Sequence, residues 1–321
     1  MSEMLLKITD LTKSFTMRSG FFSNGKVKNV VLDRVNLSLS EGETLGLVGE
    51  SGCGKSTLAL TIMRLYEPDD GRIFFAGQDI TQLDEKSLKP VRKRMQMIFQ
   101  DPFASLDSRL TIEQIIGEPL EIHNIGTKAE RTAEAARLLE RVGLSGEDMQ
   151  RFPGEFSGGQ QQRIGIARAL ALRPKLLVCD EPVSALDVSV QAQILNLLRD
   201  LQDEFNLSYL FISHNIAVTA FMSRRIGVMY LGRIVEIGDS RQIAGAPRHP
   251  YTQALLAAIP EPNPSKIYNN AAVKGDIEEF TKRPTGCVFR HRCPLAQKIC
   301  AAEEPQLRVI DENREVACHF V

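Results

Sequence analysis

The stretch TLGLVGESGCGKSTLAL, residues 44–60, decides the fold of this 321-residue chain. It opens with a nearly continuous apolar run, as in a parallel strand that is covered on both faces. It continues with the pattern G-x-x-x-x-G-K-[ST], in which the glycines let backbone amides come close to phosphates and a helix begins near the lysine. We therefore predict an α/β fold in which residues 49–57 form a phosphate-binding loop between a strand and a helix.

The residues of this phosphate-binding loop have separate chemical roles. The Lys55 side chain can reach the β- and γ-phosphates of a nucleotide, and the Ser56 hydroxyl can ligate Mg²⁺. The candidate nucleotide-binding residues of the loop are Gly49, Ser51, Gly52, Gly54, Lys55, Ser56 and Thr57.

Other apolar and β-rich runs complete the α/β interpretation. Runs that suit further parallel strands lie at 95–99, 175–179 and 207–213. Shorter β-rich runs, which predict an antiparallel β layer near the N-terminus, lie at 4–9, 30–39 and 71–77.

The middle and the end of the chain differ from the β-rich runs in sequence pattern and composition. Amphipathic helix dominates about 101–160, most clearly at 127–143, where Gly143 supplies a stop, so we predict an inserted helical subdomain. From about residue 241 the chain becomes richer in Pro and Asn. We predict a P-loop nucleotide-binding domain at 1–240 and a small cysteine-containing C-terminal extension at 241–321.

Composition narrows the class of protein. The formal net charge of −1 supplies no basic field for nucleic acid, and no apolar run approaches the roughly 18–20 residues that span a bilayer. The N-terminus does not resemble a secretory signal. We expect a cytosolic chain whose six cysteines are buried, catalytic or metal-bound and not paired as disulfides.

The run LLVCDEP, residues 176–182, predicts a second part of the nucleotide site. An apolar strand delivers Asp180 to its carboxyl end, where the carboxylate can hold Mg²⁺. Glu181 comes next and is placed to orient or deprotonate the water that attacks the γ-phosphate. The alternative is an ordinary acidic helix start.

The segment FSGGQQQRIGIARAL, residues 156–170, predicts another anion-binding helix start. Its candidate binding residues are Ser157, Gly158, Gly159 and Gln160. The alternative is a capped helix with a flexible beginning.

In this order, the phosphate-binding loop, the SGGQ segment and the DE strand end resemble the ATP-binding subunit of ABC transporters, over residue 4 to about 240. The resemblance implies an ATPase with Mg²⁺ as cofactor. It also implies a second ATP-binding subunit, because in that family the SGGQ segment caps the γ-phosphate bound by the opposite subunit and two subunits enclose two ATP molecules.

The same resemblance assigns four further residues. Gln100 matches the glutamine that senses Mg²⁺ and the attacking water, so the implied Mg²⁺ residues are Ser56, Gln100 and Asp180. His214 matches the histidine on the γ-phosphate, although a lone histidine after a strand is more often structural. Asp187 belongs to the loop that crosses the dimer interface. Phe15 aligns with the aromatic residue that stacks on adenine, with core packing as its alternative.

Three segments resemble the peptide-transport branch of the importers: QDPFASLD at 100–107, HPYTQALLAAIPEP at 249–262, and the terminal cysteine segment. This branch implies a second, different ATPase, two transmembrane permease subunits, an extracytoplasmic solute-binding protein and a peripheral location on the cytoplasmic face of the membrane. Non-peptide solutes, namely metal chelates, oligosaccharides or glutathione, are alternatives.

The terminal cysteines are Cys287, Cys293, Cys300 and Cys318, spaced C-x₅-C-x₆-C-x₁₇-C. The absence of C-x-x-C is a poor match to zinc ribbons, but four thiolates suit a tetrahedral site for zinc or an iron–sulfur cluster. Some peptide-transporter ATPases resemble this tail and carry a [4Fe-4S] cluster, which we expect here. Zn²⁺ and free thiols remain as alternatives. Cys53 and Cys179 are interpreted as small inert side chains.

Two other classes of protein compete with a transporter ATPase. ABC-type ATPases that act on DNA or ribosomes show tandem cassettes, long coiled-coil arms or strongly basic patches, whereas this sequence has one cassette, no long heptad run and a net charge of −1. A redox-sensing regulator would change its ATP turnover when the cysteine tail is oxidised.

Overall fold

The computed structural model describes residues 3–18, 26–258 and 284–321. In chain order the strands are β1 (Met4–Arg18), β2 (Lys26–Ser40), β3 (Thr44–Val48), β4 (Asp70–Phe75), β5 (Gln78–Asp79), β6 (Met95–Ile98), β7 (Leu176–Asp180), β8 (Ser208–Ser213), β9 (Arg225–Tyr230), β10 (Arg233–Asp239), β11 (Arg308–Asp311) and β12 (Arg314–Val316). The end of the 249–262 motif lies outside the described residues.

The helices are α1 (Lys55–Ile62), α2 (Glu85–Arg94), α3 (Pro102–Ser105), α4 (Ile112–Ile122), α5 (Lys128–Arg141), α6 (Gly158–Leu170), α7 (Val188–Phe205), α8 (Ile216–Met222), α9 (Ser240–Gly245), α10 (Pro250–Ala257) and α11 (Lys298–Ala302). Short 3₁₀ turns lie at Gly146–Gln150 and Pro153–Glu155. No helix in the described ranges is both long and apolar enough to cross a membrane.

The chain divides into two compact units. The first unit comprises Met1–Leu6, Leu39–Thr44 and Phe75–Ser213. The second unit comprises Lys7–Ser38, Leu45–Phe74 and His214–Val321.

The first unit contains the parallel strands β8, β7 and β6, side by side in that order. Their registers place Met95 opposite Leu176 and Asp180 opposite Ile212. Every residue of β7 and β8 is buried, because a parallel strand covered on both faces has no solvent side. The strands predicted at 95–99, 175–179 and 207–213 are therefore confirmed.

The first unit also contains the helices predicted between residues 101 and 160. Helices α4, α5 and α6 pack against one another. Helix α5 begins at a capping box, in which the Glu130 N–H donates to Thr127 Oγ1 and the Thr127 N–H donates to the Glu130 carboxylate. It ends at Arg141, two residues before Gly143, so the helix predicted at 127–143 is confirmed.

In the second unit, β3 runs parallel to β9, and β9 pairs antiparallel with β10. The other edge of β10 is occupied by two strands that the sequence did not predict. Strand β12 pairs antiparallel with β10, and β11 with β12, so the end of the chain extends this sheet.

A separate sheet contains β2, β1 and β4, adjacent in that order, which confirms the predicted N-terminal β layer. The two long strands exceed the predicted ranges, since β1 continues to Arg18 and β2 already starts at Lys26. Most residues of β1, β2 and β4 belong to the second unit.

Three rings in the second unit form what we call the aromatic cluster: Tyr230, Tyr251 and Phe289. Their centroids lie 4.6–5.4 Å apart, and each residue is at most 1% exposed. Tyr230 ends β9, Tyr251 lies on α10 and Phe289 belongs to the terminal cysteine segment. The cluster thus anchors the end of the chain to β9 through apolar burial and ring packing.

Candidate active site

The phosphate-binding loop lies in the second unit, between the end of β3 at Val48 and the start of α1 at Lys55. Gly54 precedes the helix with φ of 108°, a conformation that side chains with a Cβ rarely adopt. A Cβ on Gly49 would collide with the carbonyl oxygen of Met229. Both glycines of the pattern are therefore required by the local backbone.

Lys55 is almost fully buried, at 4% exposed. Its Nζ donates to the carbonyl oxygens of Gly49 at 2.8 Å and Glu50 at 3.0 Å. The ammonium group therefore lies inside the loop, while Ser51, Gly52 and Ser56 are exposed. This arrangement fits a loop that presents backbone amides and one positive charge to an anion.

The DE pair lies in the first unit at the end of β7. The Asp180 side chain is buried, at 6% exposed. Glu181 follows with φ of 47°, which is left-handed backbone, and its N–H donates to the Ile212 carbonyl at 3.0 Å. Such a conformation costs a non-glycine residue about 1–3 kcal/mol and is concentrated at functional sites.

Gln100 and Glu181 are brought together in the first unit. Gln100 follows β6 and is exposed, and its Nε2 donates to Glu181 Oε2 at 3.4 Å. Because β6 and β7 are adjacent parallel strands, the residues after their carboxyl ends meet at one edge of the sheet. The arrangement allows the amide to orient the carboxylate.

The SGGQ segment starts α6 in the first unit as a capped helix. The Gln160 N–H donates to Ser157 Oγ at 3.4 Å, and the Ser157 N–H donates to Gln160 Oε1 at 2.9 Å. Gly159 is buried, whereas Ser157 and Gln160 are exposed. The structural alternative of a capped helix is thus realised, and the exposed polar groups remain accessible to a partner.

The structure places three further candidate residues near the ends of elements. Asp187 is exposed at the start of α7, next to Val188, which is 82% exposed. His214 is exposed directly after β8. Phe15 on β1 is half-buried, and its ring contacts the edge of Tyr66 with centroids 5.3 Å apart.

The HPY residues of the C-terminal extension reach the phosphate-binding loop. Pro250 opens α10 after His249, whose Nδ1 accepts the Tyr251 N–H at 3.0 Å. Burial lowers the pKa of His249 to about 4, so this ring is a neutral cap at pH 7. The Tyr251 hydroxyl then accepts the Glu50 N–H at 2.9 Å. Sequence reasoning used HPY only as a family marker and missed this contact.

The four terminal cysteines lie in the second unit, where Cys287 interacts electrostatically with the other three. Burial raises the pKa of Cys287 to about 11, and the negative charges of the other three thiolates raise it as well. All six cysteines are free thiols. Nevertheless, across 3–18, 26–258 and 284–321 no three His, Cys, Asp or Glu side chains form a group that could hold a metal ion. The structure therefore does not support the predicted Cys₄ metal site.

The chain matches two families in sequence. The ABC transporter family covers residues 32–184, and the family described as oligopeptide/dipeptide transporter, C-terminal region, covers residues 235–300. The oligopeptide transport ATP-binding protein AppF of Bacillus subtilis is 51% identical over 99% of this chain and 98% of its own length. The probable peptide ABC transporter ATP-binding protein y4tS of Sinorhizobium fredii is 49% identical over 99% and 90%.

Solved structures agree with the fold. The ATP-binding cassette MJ0796, solved as a dimer in a post-hydrolysis state bound to ADP and Pi, has a TM-score of 0.66 and 30% identity, covering 74% of this chain and 99% of that one. CbiO1 of Clostridium perfringens, part of an ABC transporter complex, has a TM-score of 0.65 and 26% identity, covering 75% and 90%.

The fold and the phosphate-binding loop define an ATP-binding cassette. With relatives similar over nearly its whole length, the chain belongs to the ATP-binding proteins of ABC transporters, in their oligopeptide and dipeptide branch.

Proposed function

We propose that this chain is the ATP-hydrolysing subunit that powers peptide import by an ABC transporter. The observation that carries the proposal is the 51% identity over 99% of the chain to an oligopeptide transport ATP-binding protein. The ABC transporter match at 32–184 and the oligopeptide/dipeptide transporter C-terminal match at 235–300 lie on the same chain, which supports the same assignment.

Binding of ATP is proposed to rest on the second unit. Lys55 and the backbone amides of residues 51–56 bind the β- and γ-phosphates, because the buried ammonium and the helix start favour negative charge. Phe15 stacks on adenine and His214 contacts the γ-phosphate. Thr57 supports the phosphate contacts.

Hydrolysis is proposed to depend on Glu181 as general base and on Gln100, which donates to its carboxylate. Oxygen ligands suit Mg²⁺, and the hydroxyl of Ser56, the amide of Gln100 and the carboxylate of Asp180 are of that type. When bound, Mg²⁺ neutralises charge on the β- and γ-phosphate oxygens.

We propose a dimer of ATP-binding subunits in which the second subunit is a different chain. Ser157, Gly158, Gly159 and Gln160 contact the γ-phosphate held by the partner, and Asp187 lies in the loop between the subunits. The exposure of Ser157, Gln160 and Asp187 supports this role. Two permease subunits and an extracytoplasmic solute-binding protein complete the transporter, which holds this chain at the cytoplasmic face of the membrane.

The proposed domain organisation follows the sequence prediction. Residues 1–240 form the nucleotide-binding domain, with its helical subdomain at about 101–160, and residues 241–321 form the C-terminal extension. Action on nucleic acid or ribosomes is not favoured, because relatives that are 49–51% identical are named as peptide transport or import proteins.

Uptake of a labelled oligopeptide tests the proposed function. Cells that lack the gene for this chain are expected to lose energy-dependent uptake and to regain it with the native chain, which should co-purify with two membrane subunits. Full uptake in the deletion strain would contradict the proposal. If a labelled disaccharide or metal chelate alone depended on the chain, the ATPase assignment would stand and the peptide assignment would fail.

A [4Fe-4S] cluster on Cys287, Cys293, Cys300 and Cys318 stays a prediction. The electrostatic interaction of Cys287 with the other three thiols supports this prediction. Cluster binding would require the four side chains to reorient as ligands. We expect anaerobically purified protein to absorb near the wavelengths of iron–sulfur charge transfer and to contain about four iron atoms per chain. Colourless protein with one zinc per chain would indicate the Zn²⁺ alternative, and metal-free protein would indicate free thiols.

A further inference from the structure

Arg292 of the C-terminal extension forms an ion pair with Glu50 of the phosphate-binding loop. Its Nη1 donates to Glu50 Oε2 at 2.7 Å and its Nη2 to Oε1 at 2.8 Å, so the pair is bidentate. The Arg292 side chain is 10% exposed and that of Glu50 26%. Because solvent screens such a shielded pair less than an exposed one, the pair holds the C-terminal extension against the phosphate-binding loop.

The position of Arg292 is set by the aromatic cluster as well as by Glu50. The guanidinium lies over the Tyr230 ring, 5.7 Å from its centroid, and Nη1 also donates to the Tyr230 hydroxyl at 3.5 Å. The Arg292 N–H donates to the Phe289 carbonyl at 3.1 Å. These contacts orient the planar fork of the guanidinium, so less side-chain entropy is lost when it binds the carboxylate.

Glu50 is held at three points. Its N–H donates to Tyr251, its carbonyl oxygen accepts from Lys55 Nζ, and its carboxylate accepts from Arg292. Two of the three partners, Tyr251 and Arg292, come from the C-terminal extension. Without Arg292, an unpaired carboxylate would stand in a loop that must attract phosphates, and like charges repel.

We propose that Arg292 is a positioning residue of the nucleotide site, which neutralises Glu50 and fixes the first turn of the phosphate-binding loop for ATP. The proposal rests on the proposed role of residues 49–57. The C-terminal extension then contributes to ATP binding through its contacts with Glu50.

Steady-state ATPase kinetics of the purified transporter, which contains this full-length chain and its partner ATP-binding subunit, test this role. Arg292→Gln is expected to raise KM for ATP about tenfold and to leave kcat within about twofold. The reason is that the substitution weakens binding of the ground state and the transition state equally, which changes KM alone. Arg292→Lys should recover only part of the loss, since an ammonium lacks the bidentate fork. The double variant Glu50→Gln/Arg292→Gln should return to within about threefold of the native KM, because no uncompensated carboxylate remains.

Arg290→Ala is the matched control. Arg290 lies in the same segment and donates to Thr285 Oγ1 at 3.3 Å. It should keep the native KM, and the unfolding midpoint of each variant checks its fold. A native KM in Arg292→Gln, an equal rise in Arg290→Ala, or an equally high KM in the double variant would overturn the proposal. If Arg292→Gln does not fold, the comparison is made with Arg292→Lys, alone and combined with Glu50→Gln.

Lys55→Ala, assayed in parallel, separates this proposal from the proposed function. Normal ATP binding by Lys55→Ala would refute the phosphate-binding loop itself, and the positioning role with it. Loss of binding in Lys55→Ala beside a native KM in Arg292→Gln would refute the positioning role alone.

Discussion

Replacement of Lys55 by alanine is expected to lower ATP turnover by about 10²–10³-fold, the size of effect seen when one preorganised group that stabilises transition-state charge is removed. The side chain is 4% exposed, and its Nζ donates to the carbonyls of Gly49 and Glu50. Alanine removes the only side-chain positive charge within residues 49–57 and leaves two loop carbonyls without that donor. ATP binding should weaken in parallel, and equilibrium binding of a fluorescent ATP analogue measures it.

The control for this variant is Lys86→Ala. Lys86 is an exposed lysine on α2 and has no proposed role in the nucleotide site. It should retain native turnover and ATP affinity. Turnover of Lys55→Ala within about threefold of the native value, with the fold intact by its unfolding midpoint, would contradict the role assigned to this lysine.

The chemistry of the phosphate-binding loop was predictable because it is local. The spacing of the glycines and Lys55 dictates a strand, a tight loop and a helix start, and the structure has all three in the predicted places. The same holds for the DE strand end, where the apolar run at 176–179 predicts a strand that delivers Asp180 to its carboxyl end, and β7 ends at Asp180. The strained backbone of Glu181 was not predictable, since nothing in its neighbours requires positive φ.

The contacts that the C-terminal extension makes with the phosphate-binding loop were not predictable, because the residues involved are distant in sequence. Tyr251 and Arg292 lie 201 and 242 residues from Glu50, and neither carries a local pattern that names its partner. The motif assigned no role to Glu50 either. Glu50 occupies one of the unspecified positions of the pattern and was a weak signal, since most glutamates are exposed on the protein surface.

The tail shows a second limit of pattern reasoning. Strands β11 and β12 have four and three residues, which is too short for an alternating pattern to stand out. The cysteine spacing indicated a ligand set, yet Cys287 and Cys293 pack against the buried apolar residues around Tyr230 and Phe289. Spacing identifies which thiols can meet, whereas their orientation depends on the surrounding packing.

Glu181→Gln is expected to preserve ATP binding and to lower hydrolysis by about 10²–10⁴-fold, the contribution typical of a general base. The change keeps the size of the side chain and an oxygen that can accept from Gln100 Nε2, which donates to Glu181 at 3.4 Å. It removes only the ability to take a proton from water. Bound ATP should therefore persist, and the ATP-bound dimer should accumulate. Phosphate release measures the first effect and size-exclusion chromatography with ATP the second.

Glu140→Gln serves as the control, because Glu140 is exposed on α5, away from β7 in the chain, and has no proposed catalytic role. It should hydrolyse ATP at the native rate. Both substitutions remove one negative charge. A difference in their hydrolysis rates therefore reflects the position of the carboxylate and not the net charge of the protein. Unimpaired hydrolysis by Glu181→Gln would remove this residue as the base. Hydrolysis lost together with ATP affinity would instead assign Glu181 to nucleotide binding, because a base that acts only in the transition state leaves ground-state affinity unchanged.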